Sequence, residues 1–207
     1  MTTPVYWDQA ARELSAADPV LSKLVKRYEG LEVGSRGDAF ATLARAIVGQ
    51  QISVKAAQSV WQRLLAEIDT ITPANIAAAE AARLRACGLS GQKTGYLLDL
   101  AQRFTSGALD PFHWAERDDE ALIVELTQVK GIGRWTAEMF LIFYMARADV
   151  LPLDDVGLQR AMSLHYNAGR PLSKLKMTRI GKSWAPWRSV ATWYLWRSLD
   201  PLPVVKP

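Results

Sequence analysis

Apolar positions recur along the chain at intervals of three and four, as in Ala137, Phe140, Leu141 and Tyr144, and runs that alternate apolar with polar residues are lacking. An α-helix stacks residues three and four apart on one face, whereas a strand changes face at every residue, so this spacing predicts an all-α fold. Short polar residues mark where the helices start, because a Ser, Thr or Asp just outside the first turn can accept from amides that have no intrahelical acceptor. Asp38, Ser53, Thr72 with Pro73 behind it, Ser90, Asp118 and Ser173 stand in such places. Gly30, Gly88, Gly107, Gly169 and Gly181 predict helix ends. The punctuation yields roughly ten short helices with tight connections. There is no repeat, charge block or low-complexity linker.

The chain has 207 residues, enough for one substantial core or two small lobes, and the pattern admits divisions near Gly34 and Asp149. Lysine and arginine number 25 against 21 acids, a net charge of +4, which suits a polyanionic partner without demanding one. The single cysteine, Cys87, excludes an intramolecular disulfide framework, a four-cysteine zinc site and a cysteine-held iron–sulfur cluster. His113 and His165 lack metal-ligand spacing, so no metal is assigned. The N-terminus, MTTPVYWDQAAREL, has early charges and no apolar signal core. The longest wholly apolar run, Met139 to Ala146, is far too short to span a membrane. A cytoplasmic protein without a membrane partner is expected.

Candidate chemistry gathers in a few stretches. In VKGIGRWTAEMF, a helix over Glu120 to Val129, with Leu122, Ile123, Leu126 and Val129 inward, is followed by a second helix over Arg134 to Arg147. Gly131 suits a left-handed turn position, and Gly133 bares the backbone where the next helix begins. Together with Lys130 and Arg134 the turn reads either as a sequence-blind contact to a phosphate backbone or as a plain helix connector with solvated charges. Asp154 and Asp155 precede a helix through Val156, Leu158 and Met162, where an aspartate commonly serves as a cap. Gln50 and Gln51 read as helix-terminal polar residues. Trp184, Trp187, Trp193 and Trp196 crowd one predicted helix, more than one face can bury, so some indoles are expected to line a cavity.

Four stretches together are more specific than any one of them. AFATLARAIVGQQISVKAA (Ala39 to Ala57), CGLSGQKTGYLLDLA (Cys87 to Ala101), LTQVKGIGRWTA (Leu126 to Ala137) followed by LPLDDV (Leu151 to Val156), and WAPWRSVATWYLWR (Trp184 to Arg197) occur in that order. They resemble the helix-hairpin-helix (HhH-GPD) DNA glycosylases, most closely the 3-methyladenine DNA glycosylase II branch, over most of the chain from about Phe40 onward. The resemblance implies a two-lobed helical fold with an active-site cleft between the lobes. One lobe, 34–148, carries the hairpin, and 1–33 with 149–207 form the other. It also implies that the N-terminal β domain of some relatives is lacking, since nothing before Phe40 is long enough to encode it.

By the same resemblance Asp155 is the carboxylate that faces the deoxyribose C1′, which leaves Asp154 as the helix cap. Trp135 stands where bifunctional relatives carry a Schiff-base lysine, which implies hydrolysis without lyase activity. Trp135, Trp196 and Arg188 are implied at the base pocket, and Lys130, Gly131, Ile132, Gly133, Arg134 and Thr136 at the DNA backbone. Gln51 is implied as the side chain that fills the gap left by an extruded base. The expected reaction is hydrolytic excision of 3-methyladenine- and 7-methylguanine-type bases in base-excision repair by a monomer acting on double-stranded DNA. An ionised Asp155 would stabilise the oxocarbenium-like sugar, and a leaving base that is already cationic needs no general acid. No cofactor is implied beyond a monovalent cation at the hairpin. The alternatives are a glycosylase for deaminated or mismatched bases and a non-catalytic hairpin module that only grips DNA.

Overall fold

A computed structural model describes residues 4–30 and 37–200, and among them there are only helices and connections, with no strand. In chain order the α-helices are α1 (Trp7–Ala17), α2 (Pro19–Arg27), α3 (Ala39–Gly49), α4 (Val54–Ile68), α5 (Pro73–Ala78) and α6 (Ala81–Ala86). They continue with α7 (Gly91–Thr105), α8 (Asp119–Leu126), α9 (Arg134–Phe143), α10 (Val156–Tyr166), α11 (Lys174–Gly181) and α12 (Arg188–Arg197). Short 3-10 turns cover Pro111–Glu116 and Lys182–Trp184. None of the described helices is long and apolar enough to cross a membrane.

Local chemistry sets the helix starts. The side chains of Asp38, Ser53, Thr72, Ser90, Asp118 and Ser173 each accept from an amide in the first turn of the helix they precede, as expected. Gly30, Gly88, Gly107 and Gly169 all have positive φ at helix ends. Gly181 differs: its φ is −65°, and the chain passes through it into the next 3-10 turn. A Cβ there would lie 2.7 Å from Leu151 Cδ2, so this glycine allows close packing and not a stop.

The chain divides into two compact units, Arg36–Phe140 and Met1–Ser35 with Leu141–Pro207. One division falls inside α9, earlier than the expected 148, and the other, near Gly34, lies outside the described residues. The helix α9 stops at Phe143 and not at Arg147, because Ala146 takes a φ of 52° and the Arg147 amide turns back to the Leu141 carbonyl at 2.9 Å.

In the unit built from both ends of the chain, Trp7, Leu14, Leu21 and Leu24 pack with Leu158, Met162, Trp184 and Tyr194. Asp18 is buried at its centre. One carboxylate oxygen caps α2 through the Val20 and Leu21 amides, at 2.8 and 3.2 Å, and the other accepts from Tyr166 Oη at 2.9 Å and Trp184 Nε1 at 3.0 Å. Four donors make the burial of that carboxylate tolerable. The single tryptophan-rich helix expected at the C-terminal end is not formed, because Pro186, which lacks an N–H, separates the Lys182–Trp184 turn from α12. Trp184 is fully buried against Asp18, and Trp187 stacks on Tyr6 at 5.6 Å. Only Trp193 and Trp196 belong to α12.

The other unit is knit by an aromatic chain, Phe40–Phe104–Trp114–Phe140, in edge-to-face steps of 5.3, 5.9 and 5.5 Å. Leu122, Ile123, Leu126 and Val129 are all buried, which seats the first hairpin helix as its spacing predicts.

Candidate functional site

The hairpin connects α8 to α9 within the unit Arg36–Phe140. Gly131 has a φ of 85°, and a Cβ there would meet the Tyr96 ring at 2.1 Å, so both conformation and space demand glycine. Asp99 accepts from the Lys130 amide at 2.9 Å. Burial pushes the Asp99 carboxyl up, but the Lys130 amide and the Arg103 guanidinium outweigh it and hold the group below its ordinary value. The amides of Gly131, Gly133 and Arg134 donate to no acceptor among the described residues, and α9 begins beside them. Lys130 is exposed. A backbone of amides, a helix start and one exposed lysine form a competent anion contact.

Three of the residues expected to touch DNA have side chains that are paired or buried within the protein. Arg134 forks onto Glu120, with both contacts at 2.7 Å, and reaches Glu138 at 3.0 Å, so its half-exposed guanidinium is already paired with two carboxylates. Glu120 is held below the usual carboxylate range by that pairing. Ile132 and Thr136 are buried, and the Ile132 amide already donates to Val129 O at 3.1 Å. Trp135, by contrast, is 47% exposed and is not the core aromatic that its helical position would otherwise allow.

The turn between α3 and α4 belongs to the same unit. Gln51 is exposed with a φ of 57°, an uncommon value for a residue with a Cβ. Its neighbours fix it: Gln50 Nε2 donates to Gly131 O at 2.7 Å, and Lys93 Nζ donates to Val48 O at 2.9 Å and to Gln50 O at 2.7 Å. Burial lowers the Lys93 pKa. Nothing local in the sequence pointed to Lys93, Tyr96 or Asp99, which act on residues some thirty to forty-five positions away. Their spacing of three on a predicted helix was the only sign available.

The carboxylate lies in the other unit. Asp155, 8% exposed, is itself the cap of α10: its Oδ1 accepts from the Leu158 amide at 2.6 Å and from Trp196 Nε1 at 2.7 Å. The cap assigned to Asp154 is therefore corrected. Asp154 is exposed and pairs with Lys174, because the Pro152 carbonyl accepts the Asp155 amide at 2.9 Å and so places residue 155 at the helix start. Gln159 Nε2 holds the Leu153 carbonyl at 2.8 Å from the far side of the turn. Trp196 stacks on Phe143 with ring centres 5.6 Å apart and planes 17° from parallel. A Cβ on Gly157 would come within 3.0 Å of Asp155 Oδ1 and 3.1 Å of the Trp196 ring, so the three residues are closely fitted.

Arg188, expected at the base pocket, is held by a carboxylate of its own unit. Its guanidinium is bound to Asp149 at 2.7 and 2.8 Å and ties the loop before Asp155 to the start of α12. For metal, no group of three or more His, Cys, Asp or Glu side chains is found among the described residues. The Val129 and Gly131 carbonyls of the hairpin each accept one protein hydrogen bond, from the Ile132 amide and from Gln50 Nε2.

Comparison with known proteins agrees in family and in fold. Residues 44–186 match the family described as HhH-GPD superfamily base excision DNA repair protein. DNA-3-methyladenine glycosylase 1 of Schizosaccharomyces pombe is 34% identical over 191 residues, 90% of this chain and 84% of that protein. A crystal structure of a DNA-3-methyladenine glycosidase from Bacillus halodurans superposes with a TM-score of 0.87 at 32% identity, covering 96% of this chain and 92% of that one. An S. pombe 3-methyladenine DNA glycosylase in complex with abasic DNA gives a TM-score of 0.78 at 32% identity, over 92% of this chain and 96% of that one.

Proposed function

Because the chain belongs to the HhH-GPD superfamily of base excision DNA repair proteins, we propose that it hydrolyses the N-glycosidic bond of an extruded alkylated base, with Asp155 as the catalytic carboxylate. It is a DNA glycosylase of alkylbase excision repair, and the relatives whose names carry that activity support 3-methyladenine-type substrates. The amides of Gly131, Gly133 and Arg134, with the Lys130 ammonium, take a backbone phosphate. Gln51 fills the gap in the duplex.

As the C1′–N bond breaks, its electron pair leaves with the base and positive charge gathers on the sugar. Asp155 stabilises that charge, and a water oxygen bonds to C1′ while its proton passes to the carboxylate or to solvent. Trp196 and the Leu158 amide orient the carboxylate before substrate arrives, which is the observation that carries this reading. A base that already bears a methyl group and a positive charge departs without a proton. Its attraction to an indole face, about 0.5–2 kcal/mol, favours it over neutral bases. Phe143 covers one face of Trp196, so only the opposite face is left for a base.

Strand cleavage by Schiff-base chemistry needs an amine, and position 135 offers an indole. The Lys93 amine is spent on two carbonyls. The enzyme is thus read as monofunctional. The test is to incubate it with duplexes carrying 3-methyladenine, 7-methylguanine, hypoxanthine or uracil and to measure free base and strand breaks before and after alkali. Release of methylated bases with alkali-dependent breaks is expected. Preference for uracil or hypoxanthine would overturn the substrate reading, and breaks before alkali would overturn the monofunctional one.

A further inference from the structure

Gln50 and Lys93 touch none of the reacting groups, yet both fasten the turn that presents Gln51. A left-handed φ on a residue with a Cβ persists only where the surroundings hold it. Here the Lys93 ammonium closes the carbonyl end of α3 on Val48 and Gln50, and the Gln50 amide crosses to the Gly131 carbonyl of the hairpin. Lys93, Tyr96 and Asp99 succeed one another by three along α7, so one helix face carries the lysine that holds the turn, the ring that meets Gly131 and the carboxylate that holds the Lys130 amide.

We propose that Gln50 and Lys93 are positioning residues that keep the Gln51 turn in fixed register with the phosphate-gripping hairpin, so that gripping the backbone and inserting the side chain are one mechanical event. The proposal rests on the reading above that the chain extrudes a base. It assigns the two residues to extrusion, not to bond cleavage or to general duplex affinity.

The test uses Gln50→Leu, which keeps volume and removes the donor, and Lys93→Met, which keeps the stem and removes the charge. Single-turnover base release is measured for 3-methyladenine paired with thymine and for the same lesion opposite an abasic site, where the stack is already open. In both variants, release from the paired lesion should fall about 10–100-fold, the range expected when a charge-assisted or buried hydrogen bond is lost. Release from the open lesion should fall less than about 3-fold, since little extrusion remains to be done. Lys93→Arg should restore the paired rate. Independently of chemistry, 2-aminopurine beside a non-cleavable lesion analogue should brighten on binding wild type and stay dim with Gln50→Leu.

Equal losses on both substrates, or none on either, would overturn the proposal, as would matching 2-aminopurine signals. Wild type that brightens the probe but releases no base would instead overturn the catalytic reading and leave this one standing.

Discussion

Asp155 both caps a helix and is proposed to hold the transition state, and substitution separates the two duties. Asp155→Ala removes the acceptor from the Leu158 amide, a cap worth about 0.5–2 kcal/mol, and strands the Trp196 N–H, at about 1–3 kcal/mol. At about 2–4 °C per kcal/mol for a chain of this length, the melting temperature should fall by roughly 3–20 °C. Asp155→Asn keeps a carbonyl oxygen where Oδ1 stands, so both hydrogen bonds can re-form and the stability change should stay below about 1 kcal/mol. What asparagine lacks is the charge. Loss of one fixed electrostatic group at a transition state costs about 2.7–4 kcal/mol, or 10²–10³ in rate. Thermal melts paired with single-turnover release of 3-methyladenine therefore predict a stable but nearly inactive Asp155→Asn and an unstable, inactive Asp155→Ala. An asparagine variant whose rate stays within about threefold of wild type would reduce residue 155 to a structural cap.

Three further substitutions probe the hairpin. Gly131→Ala forces a Cβ into the Tyr96 ring at a φ of 85°, so duplex affinity should drop with a destabilisation of at least about 1–2 kcal/mol, read by fluorescence anisotropy and melting. Lys130→Ala should lower the slope of log affinity against log salt by about one, whereas Arg134→Ala should leave that slope unchanged and cost about 1–3 kcal/mol of stability, because Arg134 serves Glu120 and the buried Glu138.

The parts of this molecule that could be read from the chain are those decided within a turn or two. Six helix caps follow from side chains acting on amides three residues away, the left-handed turn from a glycine at 131, and the inward face of α8 from its spacing. Two adjacent aspartates defeated the same reasoning. Which of them caps α10 depends on how Pro152 and Leu153 turn the chain and on an indole forty-one positions away. Charge was equally ambiguous: Lys130 and Arg134 look alike beside the glycines, and only the folded positions of Glu120 and Glu138 show that one is occupied. The pairing of Arg188 is hidden in the same way, its partner Asp149 being thirty-nine residues away. The partners of Gln50 and Lys93 have no local signal, since an amide at a helix end and an ammonium on a helix surface are ordinarily left to solvent.

The unit that holds Asp155 is assembled from two stretches with the whole of Arg36–Phe140 between them. A ribosome making about 5–20 residues per second therefore leaves α1 and α2 waiting for several seconds or more, with Trp7, Leu14, Leu21 and Leu24 uncovered, until α10 to α12 emerge. The hairpin unit meets no such delay. Newly made chains should thus acquire their grip before their chemistry, and the tryptophan and leucines of the first two helices are the surface on which a chaperone would be needed during synthesis.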